Sequence, residues 1–176
     1  MTILVRLLAL IGVVAVLALG FFVQSVFSAP AGCALNGAPI RFAAQGSVAT
    51  ANRDLVVRFY TDVLIGGDLG QARKYLRPDY IQHNPRVGQG LEGFVAYFGK
   101  LKQSLAAQNA RSRGEVTMAL SDGEFVTIHQ TTVVEGGVSA SFRAIDIFRV
   151  EDGMIAEHWD TIQPCDLRSA LILVLT

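Results

Sequence analysis

The sequence predicts an α+β domain, three helices followed by a meander of antiparallel strands, and two observations carry that prediction. Up to about Leu105 apolar residues recur three or four positions apart, whereas from Glu115 onward the period is two. No helical stretch interrupts the later strands, and a doubly wound parallel sheet would need one at each crossover. With 176 residues, of which 51% are hydrophobic and 17% charged, the chain suffices for one packed domain and is short for two. Fifteen basic residues balance fifteen acidic ones without a Lys/Arg run, which excludes nucleic acid as an expected partner.

Residues 1–31 read as a signal peptide or membrane anchor. Arg6 is the only charge of the first thirty, and Leu7 to Val23 is an uncharged apolar run whose length fits either fate. Ala29-Pro30-Ala31 supplies small residues for cleavage before Gly32, while Ala31-Gly32-Cys33 approximates a lipoprotein box with Pro30 out of place. Cleavage, retention and lipidation remain open, and each gives an extracytoplasmic domain touching membrane only through residues 1–31. Cys33 and Cys165 lack metal-type spacing, so in an oxidising compartment they are expected to form a disulfide.

Residues 32–46, with three glycines and a proline, read as a linker to a domain spanning 47–176. Leu55, Val56, Phe59, Tyr60, Val63 and Leu64 form the stripe of a first helix that stops at Gly66-Gly67. Asp68 caps a short second helix ending near Leu76, before Pro78. A short strand is expected at Tyr80 to Asn84. The third helix follows Gly90, with Phe94, Phe98, Leu101 and Leu105 on one side. Strands are expected at 115–120, 124–134, 138–150 and 154–163, separated by glycine-bearing turns.

The last hairpin, Asp146 to Gln163, places acidic residues and a histidine at alternating positions of an apolar sheet. Desolvating such groups is costly, so the pattern points to chemistry. Two registers are possible. A two-residue turn pairs Glu151 with Met154; a three-residue loop with left-handed Gly153 pairs Val150 with Met154 and sets Asp146 opposite His158. The second is favoured, because one face then carries Asp146, Phe148, Ala156, His158, Asp160 and Ile162. The other carries Ile145, Ile147, Arg149, Glu157, Trp159 and Thr161.

The His158-Trp159-Asp160 ending, the segment Tyr80-Ile81-Gln82-His83-Asn84-Pro85 and the glycine-led third helix resemble the SnoaL-like polyketide cyclase family of the nuclear transport factor-2-like superfamily, over roughly residues 48–165. That resemblance implies a curved antiparallel sheet wrapped by three helices into a cone-shaped pocket. It further implies an intramolecular aldol condensation in which an acidic residue, at the position of Asp160, is acid and base. Characterised members have a histidine where this sequence has Asp146.

The chemistry is plausible on its own terms. Abstracting a proton beside a carbonyl needs a base tuned toward neutral pH, and a carboxylate desolvated beside another carboxylate is so tuned. Asp160 with Asp146 meets that need; His83 or His158 would donate to the enolate, with Tyr80 or Asn84 as further donors. Phe148, His129 and Phe98 complete the expected lining of a pocket for a small apolar molecule. The blander alternative pairs the acids with Arg143 or Arg86, and leaves His129 a structural histidine between Thr127 and Thr131. Such chemistry requires no cofactor, and three histidines on separate strands argue against a metal. The same cone without catalysis would make a small-ligand or protein-binding module.

Gly88-Gln89-Gly90-Leu91-Glu92-Gly93 fits a dinucleotide-binding pattern, but no buried strand precedes it and no βαβ unit follows, so it reads as a flexible helix entry. The apolar face with Ile145, Ile147 and Trp159 requires a cover. A second copy of the sheet is expected, giving a homodimer, with the tail Leu171 to Leu175 as the alternative.

Overall fold

A computed structural model describes residues 35, 37 and 39–175. The expected leader at 1–31 and Cys33 lie outside the described residues. In chain order the elements are β1 (Arg41–Gln45), α1 (Gly46–Phe59) running into a π-helical turn (Tyr60–Ile65), a 3-10 helix (Leu69–Lys74), β2 (Leu76–Gln82), α2 (Gly90–Ala107), β3 (Ala110–Asp122), β4 (Phe125–Gly136), β5 (Ala140–Glu151), β6 (Met154–Pro164) and α3 (Leu167–Leu175). The α+β class and the helix-then-meander order agree with the sequence reading.

The sheet itself differs from that reading. It has six strands in the order β1-β3-β4-β5-β6-β2, and it is mixed: the meander β3 to β6 is antiparallel, but β1 runs parallel to β3 and β2 parallel to β6. Residues 41–45, expected to be linker, form the first of these edges. Their period-2 signal is too short to register, and β3 supplies the partner. At the other edge Pro78 sits within β2, where a residue without an N–H is tolerated because one side of the strand has no neighbour. The short helix capped by Asp68, whose carboxylate accepts from the Gly70 N–H, closes as a 3-10 helix.

One face of the sheet packs on α1 and α2. Val56, Phe59, Tyr60 and Val63 from the first helix meet Phe94 of the second and Ala119, Val126, Ile128, Phe148, Val150 and Ile155 of the sheet. Phe59 sits at the centre, with the rings of Tyr60, Tyr75, Phe94 and Phe148 all within 6.1 Å of its own. Gly88 and Gly93 explain the glycine pattern ahead of α2: a Cβ on Gly93 would stand 2.3 Å from the Gly88 carbonyl carbon, so the glycines let the loop lie against the helix backbone.

The β5–β6 hairpin corrects the expected register. Asp152 and Gly153 both have positive φ, 51° and 73°, and form a two-residue turn that pairs Glu151 with Met154. A bulge follows. Val150 pairs with Ile155 and Arg149 with Glu157, leaving Ala156 as the extra residue. Asp146 therefore faces Asp160, and Phe148 faces His158. The rejected turn was the right one, yet the bulge restores the expected grouping of Asp146, Phe148, His158 and Asp160 on one face.

The C-terminal tail is a helix packed against β5 and β6, where the buried Ser169 hydroxyl accepts from the Ser141 N–H and Cys165 N–H donates to the Ser141 carbonyl. It does not cover the outer face: Ile145 remains 50% exposed and Ile147 39%. Cys165 is disulfide-bonded. Among the described residues no helix is long and apolar enough to cross a membrane.

Candidate active site

Adjacent strands deliver the central groups. Asp146 on β5 and His158 on β6 are both buried, and His158 Nε2 lies 3.0 Å from Asp146 Oδ1. The imidazole is stacked on Phe148, ring centroids 4.6 Å apart. Its other nitrogen, Nδ1, lies 3.0 Å from Gln82 Oε1 at the end of β2. Asp146 Oδ2 is buried without a partner of ordinary hydrogen-bond geometry, although the Tyr60 phenol approaches the same carboxylate.

Asp160 is the least buried member of the trio. Asn84 Nδ2 donates to both of its oxygens, at 3.0 and 2.7 Å. Asn84 is held in turn, since its Oδ1 accepts from the Arg86 N–H and its own N–H donates to Gln82 Oε1. Tyr60, on the π-turn after α1, and Tyr80, on β2, face the acids. Burial chiefly, then the negative charges of Asp146 and Asp160, push both phenols up, so they persist as neutral hydrogen-bond donors. Tyr80 receives a hydrogen bond from Gln82 Nε2, which leaves its own O–H free to donate.

The expected arginine partners are elsewhere. Arg86 donates to the Leu173 carbonyl at the far end of α3, and among the described residues no Arg or Lys pairs with Asp146 or Asp160. His83 and His129 do not join the site, which corrects both expectations. His83 follows β2 on the outer side, where it bonds Glu157 at 2.8 Å and stacks on Trp159 with centroids 4.8 Å apart. His129 pairs in register with the exposed Ile145 and bonds the Thr117 hydroxyl, a structural histidine on the outer face. One-residue alternation along a strand decides this, since Ile128 takes the inward position opposite Asp146. Phe98 packs on Phe94 at the helical rim of the core.

Gln82 and Tyr60 were not expected in the site. Gln82 had a legible signal: with Tyr80 and Asn84 it forms a polar period-2 series in an otherwise apolar setting. Tyr60 had none beyond membership of an apolar stripe.

Asp146, His158 and Asp160 offer ligand atoms that all lie within 4.8 Å of one another. The sequence offers three histidines and two acids as ligands, and the separate strands of the histidines argue against a metal; the structure gathers one of those histidines with both acids. An ion with bonds of about 2.1 Å spans donors no more than about 4.2 Å apart, so the trio would have to close to share one. A separate cavity of about 120 Å³, lined by Leu69, Gly70, Arg73, Leu91, Glu92 and Val95, contains none of these groups.

Residues 56–158 match the SnoaL-like domain. Among solved structures, the chain resembles a candidate polyketide cyclase from Bacillus cereus ATCC 10987, with 20% identity over 78% of this chain and 91% of that one and a TM-score of 0.59. An epoxide hydrolase of the LEH-like type from M. tuberculosis aligns at 18% identity, covering 72% and 97%, TM-score 0.55. A candidate ketosteroid isomerase from Kribbella flavida aligns at 18%, covering 65% and 79%, TM-score 0.52. These likenesses show the fold alone, which is nuclear transport factor-2-like. No curated protein matches the chain.

Proposed function

The chain belongs to the SnoaL-like domain family, and from that premise we propose that it is an acid/base enzyme acting on a small apolar carbonyl compound by aldol condensation, cyclisation or isomerisation. One observation carries the proposal: two carboxylates and an imidazole are gathered on the inner face of one hairpin, with no Arg or Lys paired to either acid among the described residues. A fold gains nothing from burying acids in this way, and such groups concentrate where proton transfer occurs.

Asp160, the most accessible of the three, is the general base and acid, aimed by Asn84. It takes the proton from the carbon beside the carbonyl and returns it. Negative charge developing on the carbonyl oxygen is met by a phenol, Tyr80 or Tyr60, in place of the histidine donors expected from the sequence. Asp146 and His158 form the floor behind them. Phe148, Phe94 and Phe98 supply the apolar surroundings.

The domain is exported, or tethered by residues 1–31. The disulfide at Cys165 supports an oxidising compartment. Exposed Leu120, Phe125, Ile145 and Ile147 on the outer face support a homodimer formed through the sheet, for which light scattering should give twice the chain mass.

The test is a panel of small carbonyl and epoxide compounds offered to the protein and to Asp160→Asn. Turnover on a carbonyl compound, lost in a variant with unchanged thermal unfolding, is the expected result. Binding without turnover in both proteins would make the domain a ligand carrier instead.

A further inference from the structure

The protonation state of the buried pair can be read from its neighbours. Gln82 Oε1 accepts the Asn84 backbone N–H at 2.9 Å, and a backbone amide can only donate, so that atom is an oxygen and the carboxamide cannot be reversed. The same oxygen lies 3.0 Å from His158 Nδ1. Two acceptors do not share such a contact, so Nδ1 carries a proton. Nε2 then faces Asp146 Oδ1 at 3.0 Å, and a bare nitrogen cannot meet a bare carboxylate there either. A second proton lies between them, whether on the ring or on the acid.

We propose that Gln82 is a positioning residue that forces the His158–Asp146 pair to hold this extra proton, leaving Asp160 as the one free proton acceptor of the trio. An ordinary neutral histidine donating from Nε2 to an ionised aspartate would have a bare Nδ1, and Gln82 Oε1 disallows that tautomer. Gln82 is itself clamped. Its side-chain nitrogen donates to the Tyr80 hydroxyl, its N–H donates to Gln89 Oε1 and its carbonyl accepts from Gln89 Nε2. The doubly protonated pair has no net charge, so the buried Asp146 and the part-buried Asp160 lie close together without an Arg or Lys paired to either among the described residues.

The proposal rests on the functional reading only in naming Asp160 the acceptor; the proton count stands apart from it and is measured without substrate. Nitrogen-15 NMR of ring-labelled protein near neutral pH, with the His158 signals assigned by their loss in His158→Gln, reports each ring nitrogen. In the unmodified protein Nδ1 should show a one-bond coupling to its proton. In Gln82→Leu, Nδ1 should move to the region of a bare, pyridine-like nitrogen while Nε2 carries the one proton left to the pair. Gln82→Glu retains an acceptor and should restore the original Nδ1 signal. A bare Nδ1 in the unmodified protein overturns the proposal, as does a folded Gln82→Leu with an unshifted spectrum. Should Gln82→Leu not fold, the unmodified protein and Gln82→Glu decide. Lost turnover in Asp160→Asn with a bare Nδ1 would sink the proton count alone, and the converse pair of results would sink only the catalytic reading.

Discussion

The two faces of the β5–β6 hairpin are built from alternate residues of the same strands, yet they handle charge in opposite ways. On the outer face Arg149 bonds Glu157 at 2.9 Å and lies near Glu151 and Glu124, Arg77 joins Asp79 and Glu151, and His83 closes on Glu157. Each of these acids lies against a cation and is at least partly exposed. On the inner face Asp146 and Asp160 stand opposite each other, and the polar side chains around them among the described residues are an imidazole, an amide and two phenols. Opposite-charge pairing marks a face that holds the fold together, whereas buried acids met only by neutral or proton-sharing groups mark one prepared for reaction.

Four substitutions and a titration probe that contrast. Asp160→Asn should cost about 10²–10⁴-fold in turnover, the usual worth of a general base, with a melting temperature little changed. Phe148→Ala, which removes the ring beneath His158 and a fully buried side chain, should destabilise the protein by about 3–5 kcal/mol in urea unfolding. Asp146→Ala should cost about 1–3 kcal/mol, because it strips a buried imidazole of its partner; a cost near zero would mean that water enters the site freely. Glu157→Gln, on the outer face, should change stability by no more than about 1 kcal/mol and leave turnover intact. A large loss of activity in that variant would erase the distinction between the faces.

The smallest effect is a pH dependence. Bonds from His83 and then Arg149 hold the Glu157 carboxyl below its ordinary value of 4.5. Its folded pKa is thus the lower one, so its contribution is complete above that ordinary value and fades as pH falls through the folded pKa. Acid unfolding of Glu157→Gln should accordingly show a shallower loss of stability below about 4.5 than the parent.

Much of this arrangement could be read from the sequence. The change of period from helical to two fixed the element order, and the acids and histidine of the last hairpin pointed to the inner face. What escaped was whatever depends on pairing. The parallel edges are absent from any local pattern, because β1 is a strand only by virtue of β3. His83 and His129 were misplaced because a histidine at a strand end, or among threonines, suits either side, and the register of the neighbouring strand selects one. Gln82 was passed over in favour of more reactive residue types, although its position between Tyr80 and Asn84 shared their alternation.

Ala156 gives the molecule an unusual sensitivity to counting. Because this unmatched residue advances β6 by one place against β5, a ladder that paired it with Arg149 in place of bulging it out would turn everything downstream to the other face. His158 and Asp160 would then look toward solvent, while Glu157 and Trp159 would be driven among the aromatic rings. The slipped ladder would keep the same composition, the same turn and the same family motif, and its interior would have exchanged places with its exterior.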